Sequence, residues 1–289
     1  MKAISTILVA STMLASHALA DTATLNGAEI FYTIEGEGTP VMVMHGGLGL
    51  DHTYFRPYLD ALENVQIIYY DHLGNGRSEH PEDFSELTFE RFVADAEALR
   101  QHLDLGKIIL IGHSYGGFIA QEYAAAHPDA LKGLVLANTV PVFDYAPTLS
   151  GTDEQMAALG AVFSRPMESD EDFQTNWNII SQMYYHNYDA EIGAELDMNT
   201  QYSYQAWNVA NGLLATFNTL EKLPMIDVPT LVIGGRHDGI TPVEPGTARI
   251  AGLLPQAEMV VFENSGHFPF IEEPALHLET LQNWINGLE

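Results

Sequence analysis

Short apolar runs alternate with amphipathic stretches along most of this chain. Residues 28–34 are β-rich and follow Asn26-Gly27, a tight-hairpin dipeptide. Residues 41–44 form an apolar run that enters glycines, and residues 66–70 form another that ends at Asp71. From 89 to 105 the spacing is helical, with Phe92, Val93, Ala96, Leu99 and Leu103 on one face. Residues 107–111 are apolar and largely β-branched after Lys107 and meet Gly112. Residues 118–126 read as a helix stopped at His127-Pro128, and 134–136 are again strand-like.

After Asn138 the rhythm breaks. Residues 141–222 hold no strand of this kind and are rich in aromatics, among them Phe143, Phe163, Trp177, Tyr184, Tyr202 and Trp207. The alternation resumes with a strand at 230–233, a short helix at 248–254, a strand at 259–262 and a closing helix at 274–285. Buried strands separated by helices specify an α/β chain with a mostly parallel central sheet flanked by helices. The aromatic segment reads as a helical cap inserted after the sixth strand. The expected organisation is a core of residues 21–140 and 223–289 and a cap or lid of residues 141–222. No internal repeat, linker or low-complexity tract interrupts it.

The first 20 residues stand apart. Met1-Lys2 gives a positive start, residues 3–16 are uncharged and apolar or small, and Ala18-Leu19-Ala20 is a small-x-small cleavage site before Asp21. This is the three-part pattern of a signal peptide, and it implies an exported protein, periplasmic or secreted. The apolar run is short for a membrane span of roughly 20 residues. The remaining length suits one large domain, and a hydrophobic share of 46% is ordinary for a folded chain.

Charge and cysteine content narrow the chemistry. With 39 acidic against 11 basic residues the formal net charge is −28, which disfavours nucleic acid and anionic membrane surfaces as partners. No cysteine is present, so disulfides, thiol catalysis and cysteine-ligated zinc are excluded together. No His/Asp cluster has metal-ligand spacing, so neither a metal nor another cofactor is expected.

The strongest chemical signal is Gly112-His113-Ser114-Tyr115-Gly116. It follows a buried strand and opens a helix, the setting of a nucleophile elbow. There a serine sits in a tight turn, and small neighbours let the backbone approach closely. A serine hydroxyl needs a base. Two later strands run into candidate loops: Gly234-Gly235-Arg236-His237-Asp238 and Glu263-Asn264-Ser265-Gly266-His267. His267 is the expected base and Asp238 the expected partner that orients it, with Glu263 and Asp227 as competing carboxylates. An oxyanion hole needs two backbone donors. The N–H groups of Tyr115 and of Gly47, in His45-Gly46-Gly47-Leu48-Gly49, are the candidates.

These motifs, with Asp71-His72-Leu73-Gly74-Asn75-Gly76-Arg77-Ser78, resemble the proline iminopeptidase branch of the α/β hydrolases. The resemblance covers residues 22–140 and 226–289. It implies the α/β-hydrolase fold, with Ser114, Asp238 and His267 as a catalytic triad. Leu48 stands where the family pattern has proline, and His72-Leu73 where it has Gln-Arg. Family members bind the substrate's free amino group with carboxylates. One is a Glu directly after the triad Asp, and here that position is Gly239. Another comes from a cap stretch whose nearest counterpart, Ala210-Asn211-Gly212, has no Glu. Of the cap acids, Glu191, Glu195 and Asp197 are possible substitutes.

The reading is an exported serine hydrolase that cleaves a small ester, lactone or amide through an acyl-enzyme. A small-molecule substrate is the expected partner, and the sequence leaves oligomeric state open. A proline iminopeptidase is the alternative within the same chemistry. A ligand-binding protein of weak catalysis on the same fold is the alternative of another class. Related hydrolases that place Asp at the elbow, such as epoxide hydrolases and haloalkane dehalogenases, are disfavoured by Ser114.

Overall fold

A computed structural model describes residues 19–288. The expected signal peptide therefore lies outside the described residues, apart from Leu19 and Ala20.

Eight strands form one sheet: β1 (Leu19–Leu25), β2 (Ala28–Gly36), β3 (Thr39–Met44), β4 (Val65–Tyr70), β5 (Ile108–His113), β6 (Leu131–Ala137), β7 (Thr230–Gly235) and β8 (Ala257–Phe262). Their order is β1-β2-β4-β3-β5-β6-β7-β8. From β4 to β8 every pairing is parallel, and β1 and β2 add an antiparallel edge. Asn26 and Gly27 both carry positive φ, 49° and 87°, as a two-residue primed hairpin turn demands.

Period-two alternation explains the two cores. Met42, Met44, Ile68, Tyr70, Ile108 and Leu110 enter one cluster, and Val41, Val43, Ile67, Tyr69, Ile109 and Ile111 the other. The first is closed by α1 (Phe89–His102), α2 (Tyr115–Ala126) and Ile250 of α7 (Arg249–Leu253). Phe55, Leu59, α8 (Pro269–Glu272) and α9 (Pro274–Asn286) close the second. Between β6 and β7 lie α3 (Asp153–Ser164), α4 (Asp170–Ser181), α5 (Ala190–Asn199) and α6 (Tyr204–Leu214). Of these, α3, α4 and α6 enclose a third cluster of Val162, Phe173, Trp177, Ile180, Tyr184 and Trp207, and Ile192 and Leu196 of α5 pack against the second.

The main departures from the sequence pattern sit at element ends. The second helix begins at Tyr115, not Phe118, because Gly116 and Gly117 pack tightly against β3 and Thr139 despite poor intrinsic helix propensity. The short α8 had no periodic signal at all, since four residues hold barely one turn. A wide turn, Glu244–Ala248, precedes α7.

The winding positions the site. From β3 the chain passes to β4 on one side and returns to β5 on the other. Loops leaving β3 and β5 therefore diverge at their carboxyl ends, and such a switch point is where open α/β sheets hold ligands. Met44 and Gly112 are register partners, so the loops opening at His45 and Ser114 leave the sheet side by side.

Candidate active site

The turn at Ser114 is strained. Its φ of 54° and ψ of −120° lie outside the regions a non-glycine residue ordinarily adopts. The strain is held by hydrogen bonds on both sides. Ser114 N–H donates to the Ala137 carbonyl at 2.9 Å, and the Ser114 carbonyl accepts from Gly117 N–H and Thr139 Oγ1, each at 2.9 Å. A Cβ on Gly116 would collide with the Met44 carbonyl, which is why a glycine stands there.

The glycine loop after β3 lies directly against this turn. A Cβ on Gly46 would come 2.6 Å from the Ser114 Cβ. Gly47 has φ 51° and faces the same cavity as Ser114. Gly46 N–H is committed to the Tyr54 hydroxyl at 2.6 Å, and Gly49 N–H to Asn75 Oδ1 at 2.6 Å. Among the described residues no partner occupies the N–H of Gly47 or of Tyr115.

Asp238 and His267 meet after β7 and β8. Asp238 Oδ2 is 2.7 Å from His267 Nδ1, and both side chains are buried. Oδ2 also accepts from Thr241 Oγ1 at 2.6 Å and Asn138 Nδ2 at 2.9 Å. The other oxygen, Oδ1, accepts from the Ile240 and Thr241 N–H groups at 2.9 Å each. Burial alone would raise the Asp238 carboxyl. The facing His267 imidazole and the bonds from His267, Asn138 and Thr241 outweigh it and hold the group well below the usual carboxylate range. A carboxylate facing Nδ1 fixes the proton there, so Nε2 presents a lone pair. That Nε2 is buried without a hydrogen-bond partner, and His267 lines the cavity that Ser114 also lines. No hydrogen bond joins the two in this structure; such contacts are often loose before substrate tightens them.

The competing carboxylates lie elsewhere. Glu263 is exposed and paired with Arg236 at 2.7 Å, and Asp227 is exposed and bonded to Gln256. Among the described residues no group of three or more His, Asp or Glu side chains could hold a metal ion, and no helix is long and apolar enough to cross a membrane.

Aromatic side chains dominate the cavity, which has about 1100 Å³ of empty space including its open mouth. Trp177, Tyr184 and Trp207 come from the cap, and Phe118 and Phe268 from the core. Asp197 of α5 is the one carboxylate among the described lining residues, while Glu191 and Glu195 are exposed. Asp197 accepts from Gln174 at 2.8 Å and Tyr202 at 2.9 Å. At Gly239 a Cβ would stand 2.6 Å from Leu149, so a longer side chain has no room unless Leu149 moves.

The sequence reading missed four residues that support the site: Tyr54, His113, Asn138 and Thr241. Asn138 was detectable in principle, since it ends β6 as Ser114 ends β5, and its φ of 47° marks a second special turn. Tyr54 carries no local signal, because its hydroxyl meets a backbone N–H eight residues away and a ring on another strand.

Comparison with known proteins agrees with this geometry. The family model for the alpha/beta hydrolase fold matches residues 39–274. A proline iminopeptidase of Lactobacillus crispatus is 32% identical over 288 residues, covering 90% of this chain and 95% of the relative. One of Lactiplantibacillus plantarum is 30% identical over 282 residues, covering 90% and 98%. Among solved structures, an esterase from Exiguobacterium antarcticum superposes with a TM-score of 0.79 over 93% of this chain and 100% of that one, at 23% identity, a likeness of fold.

Proposed function

The chain belongs to the α/β-hydrolase family and is a hydrolase related to the proline iminopeptidases, and from that premise we propose that it is a serine hydrolase acting on a small neutral ester or lactone. Ser114 attacks the carbonyl carbon as His267 Nε2 takes its proton, and the carbonyl oxygen gains the negative charge. The N–H groups of Gly47 and Tyr115 receive that charge. The tetrahedral intermediate collapses to an acyl-enzyme as His267 returns the proton to the leaving alkoxide. Water, deprotonated by His267, then releases the acid and restores the Ser114 hydroxyl. Asp238 orients the imidazole and stabilises its charged form.

One observation carries the reading. A buried imidazole nitrogen has no partner, its opposite nitrogen is held by a fully hydrogen-bonded carboxylate, and its residue lines the cavity that a strained serine also lines. A buried acceptor without a partner calls for an explanation, and a general base that awaits a proton supplies one. A ligand-binding role needs no such arrangement.

The neutral substrate is supported by the aromatic lining and by Leu149 beside Gly239. Asp197 and the proline iminopeptidase relatives favour a second reading, a substrate with a free amino group. One experiment addresses both. A fluorophosphonate should label wild type and not Ser114→Ala, and Ser114→Ala should lose nearly all turnover, roughly 10³-fold or more. A Ser114→Ala variant retaining a tenth of the activity sinks the mechanism. The same assay should show a short ester cleaved at least about tenfold faster than a prolyl amide. It should also show little difference between prolyl amide and its N-acetyl form. A strong preference for the free amine would assign the cavity to aminopeptidase substrates.

Export is part of the proposal. Cleavage before Asp21 leaves the β1 pairing from Asp21↔Tyr32 to Leu25↔Ala28 in place. Mass measurement of the protein recovered from its native host should find Asp21 as the first residue; an intact leader would refute export by this route.

A further inference from the structure

Tyr54 sits in the short turn His52–Phe55 after the glycine loop, and His113 immediately precedes Ser114; both are buried. Gly46 N–H lies 2.6 Å from Tyr54 Oη, Tyr54 Oη lies 2.9 Å from His113 Nδ1, and His113 Nε2 lies 2.9 Å from the His267 carbonyl. The ends of this chain have fixed polarity, because a backbone N–H can only donate and a backbone carbonyl can only accept. Tyr54 therefore accepts from Gly46 and gives its own proton to His113 Nδ1. His113 must then carry its proton on Nε2, which donates to His267. One arrangement of protons satisfies every group, and it requires a neutral imidazole. Burial, reinforced by the nearby His267, holds His113 well below the ordinary histidine range, in keeping with that state.

We propose that Tyr54 and His113 are positioning residues for the hydrolysis. They tie together the three backbone segments that carry the reacting groups: the glycine loop with Gly47, the turn of Ser114 and the loop of His267. The proposal rests on the serine-hydrolase reading above. Those segments leave three different strands, and His113 and His267 are 154 residues apart in sequence. Packing stiffens the link. The Tyr54 ring stacks on Phe55 at 4.3 Å, and the His113 ring lies 4.9 Å from that of His267 and 5.3 Å from that of Phe270. Commitment of Gly46 N–H to Tyr54 also removes it from competition with the Gly47 N–H for the oxyanion. A displacement of about 1 Å among such groups costs on the order of 10²-fold in rate.

Three variants test this. Tyr54→Phe keeps the ring and removes the hydroxyl. His113→Gln can still donate toward His267 but has no acceptor at the Nδ1 position, whereas His113→Asn restores an acceptor there. Activity on a short neutral ester is normalised to sites labelled by fluorophosphonate, so that only folded, reactive protein is counted. Tyr54→Phe and His113→Gln should each lower kcat about 10- to 100-fold with KM changed less than about threefold. The double variant should fall little below the worse single one, because both cut the same chain. His113→Asn should retain more kcat than His113→Gln, because it keeps an acceptor for the Tyr54 hydroxyl. Wild-type kcat in Tyr54→Phe, an effect confined to KM, or fully additive losses would overturn the proposal. Additivity in particular would mean that Tyr54 touches the substrate directly. An active, unlabelled Ser114→Ala would instead fell the serine-hydrolase reading, whatever Tyr54 does.

Discussion

At the scale of single residues, the site turns on how completely Asp238 is engaged. Five donors converge on its two oxygens, and its partner is an imidazole with a buried, unpartnered Nε2 in a residue that lines the cavity. Asp238→Asn keeps the volume but places an amide against His267 Nδ1, which favours the wrong tautomer. It should lose up to roughly 10⁴-fold in kcat with little change in folding, since its neighbours can re-pair with an amide. Near-normal activity in this variant, alongside collapse in Glu263→Gln, would reassign the role to Glu263. Ser114, His267 and Asp238 were legible in the sequence as candidates because each lies in a loop just past a strand's carboxyl end and carries a residue type that the chemistry demands. Asn138 and Thr241 were not, since nothing local says which polar side chain a distant carboxylate will recruit.

At the scale of elements, glycines divide into those that set the site and those that do not. In α2, Gly116 lies so close to the Met44 and His45 carbonyls that a Cβ cannot fit. Gly116→Ala should push the helix from the sheet, costing about 1–3 kcal/mol and much of the activity. In the cap, Gly160 of α3 and Gly212 of α6 are exposed and have nothing within 4 Å of a Cβ. Gly160→Ala and Gly212→Ala should each stabilise by roughly 0.5–1 kcal/mol, through helix propensity alone. Thermal denaturation of the three variants checks the contrast, and a stabilised Gly116→Ala would contradict the packing described. Helix positions were readable from periodicity, but the cap's arrangement was not. Its aromatics at helical spacing say that an apolar face exists, and only packing decides that Trp207 Nε1 caps the Val162 carbonyl at 3.0 Å.

At the scale of the whole molecule, buried histidines should weaken the fold in acid. His277 packs against Phe262 and Phe270, and burial pushes it down to about 4 from 6.5. His45, His72 and His113 are lowered as well, each chiefly by burial. A histidine depressed in the folded state binds protons more readily once unfolded. Its contribution to stability is thus complete above about pH 6.5 and is lost as pH falls toward 4. For His277 alone the loss at pH 5 is about 2 kcal/mol. The Asp238 carboxyl is lowered too, so its share disappears only below the ordinary carboxylate range. The net charge of −28 works the other way, because acid relieves self-repulsion, but physiological salt screens that term. Tm should therefore drop between pH 7 and 5 at moderate salt, and less steeply in His277→Leu. An unchanged slope would remove His277 from the account.

The sequence by itself determined the alternation of strand and helix, the hairpin at Asn26-Gly27, the break at the cap and the residues at the strand ends. Those features follow from local rules: side-chain period, turn conformation and the small residues a strained serine turn needs. Tertiary structure alone decided that the loops after β3, β5 and β8 share one hydrogen-bonded chain through Tyr54 and His113, that Asp197 faces the cavity while Glu191 and Glu195 face solvent, and that Leu149 fills the space beside Gly239. Each joins or separates residues far apart in sequence, and such placement is set by how the sheet winds and how the cap packs on it, not by any local pattern.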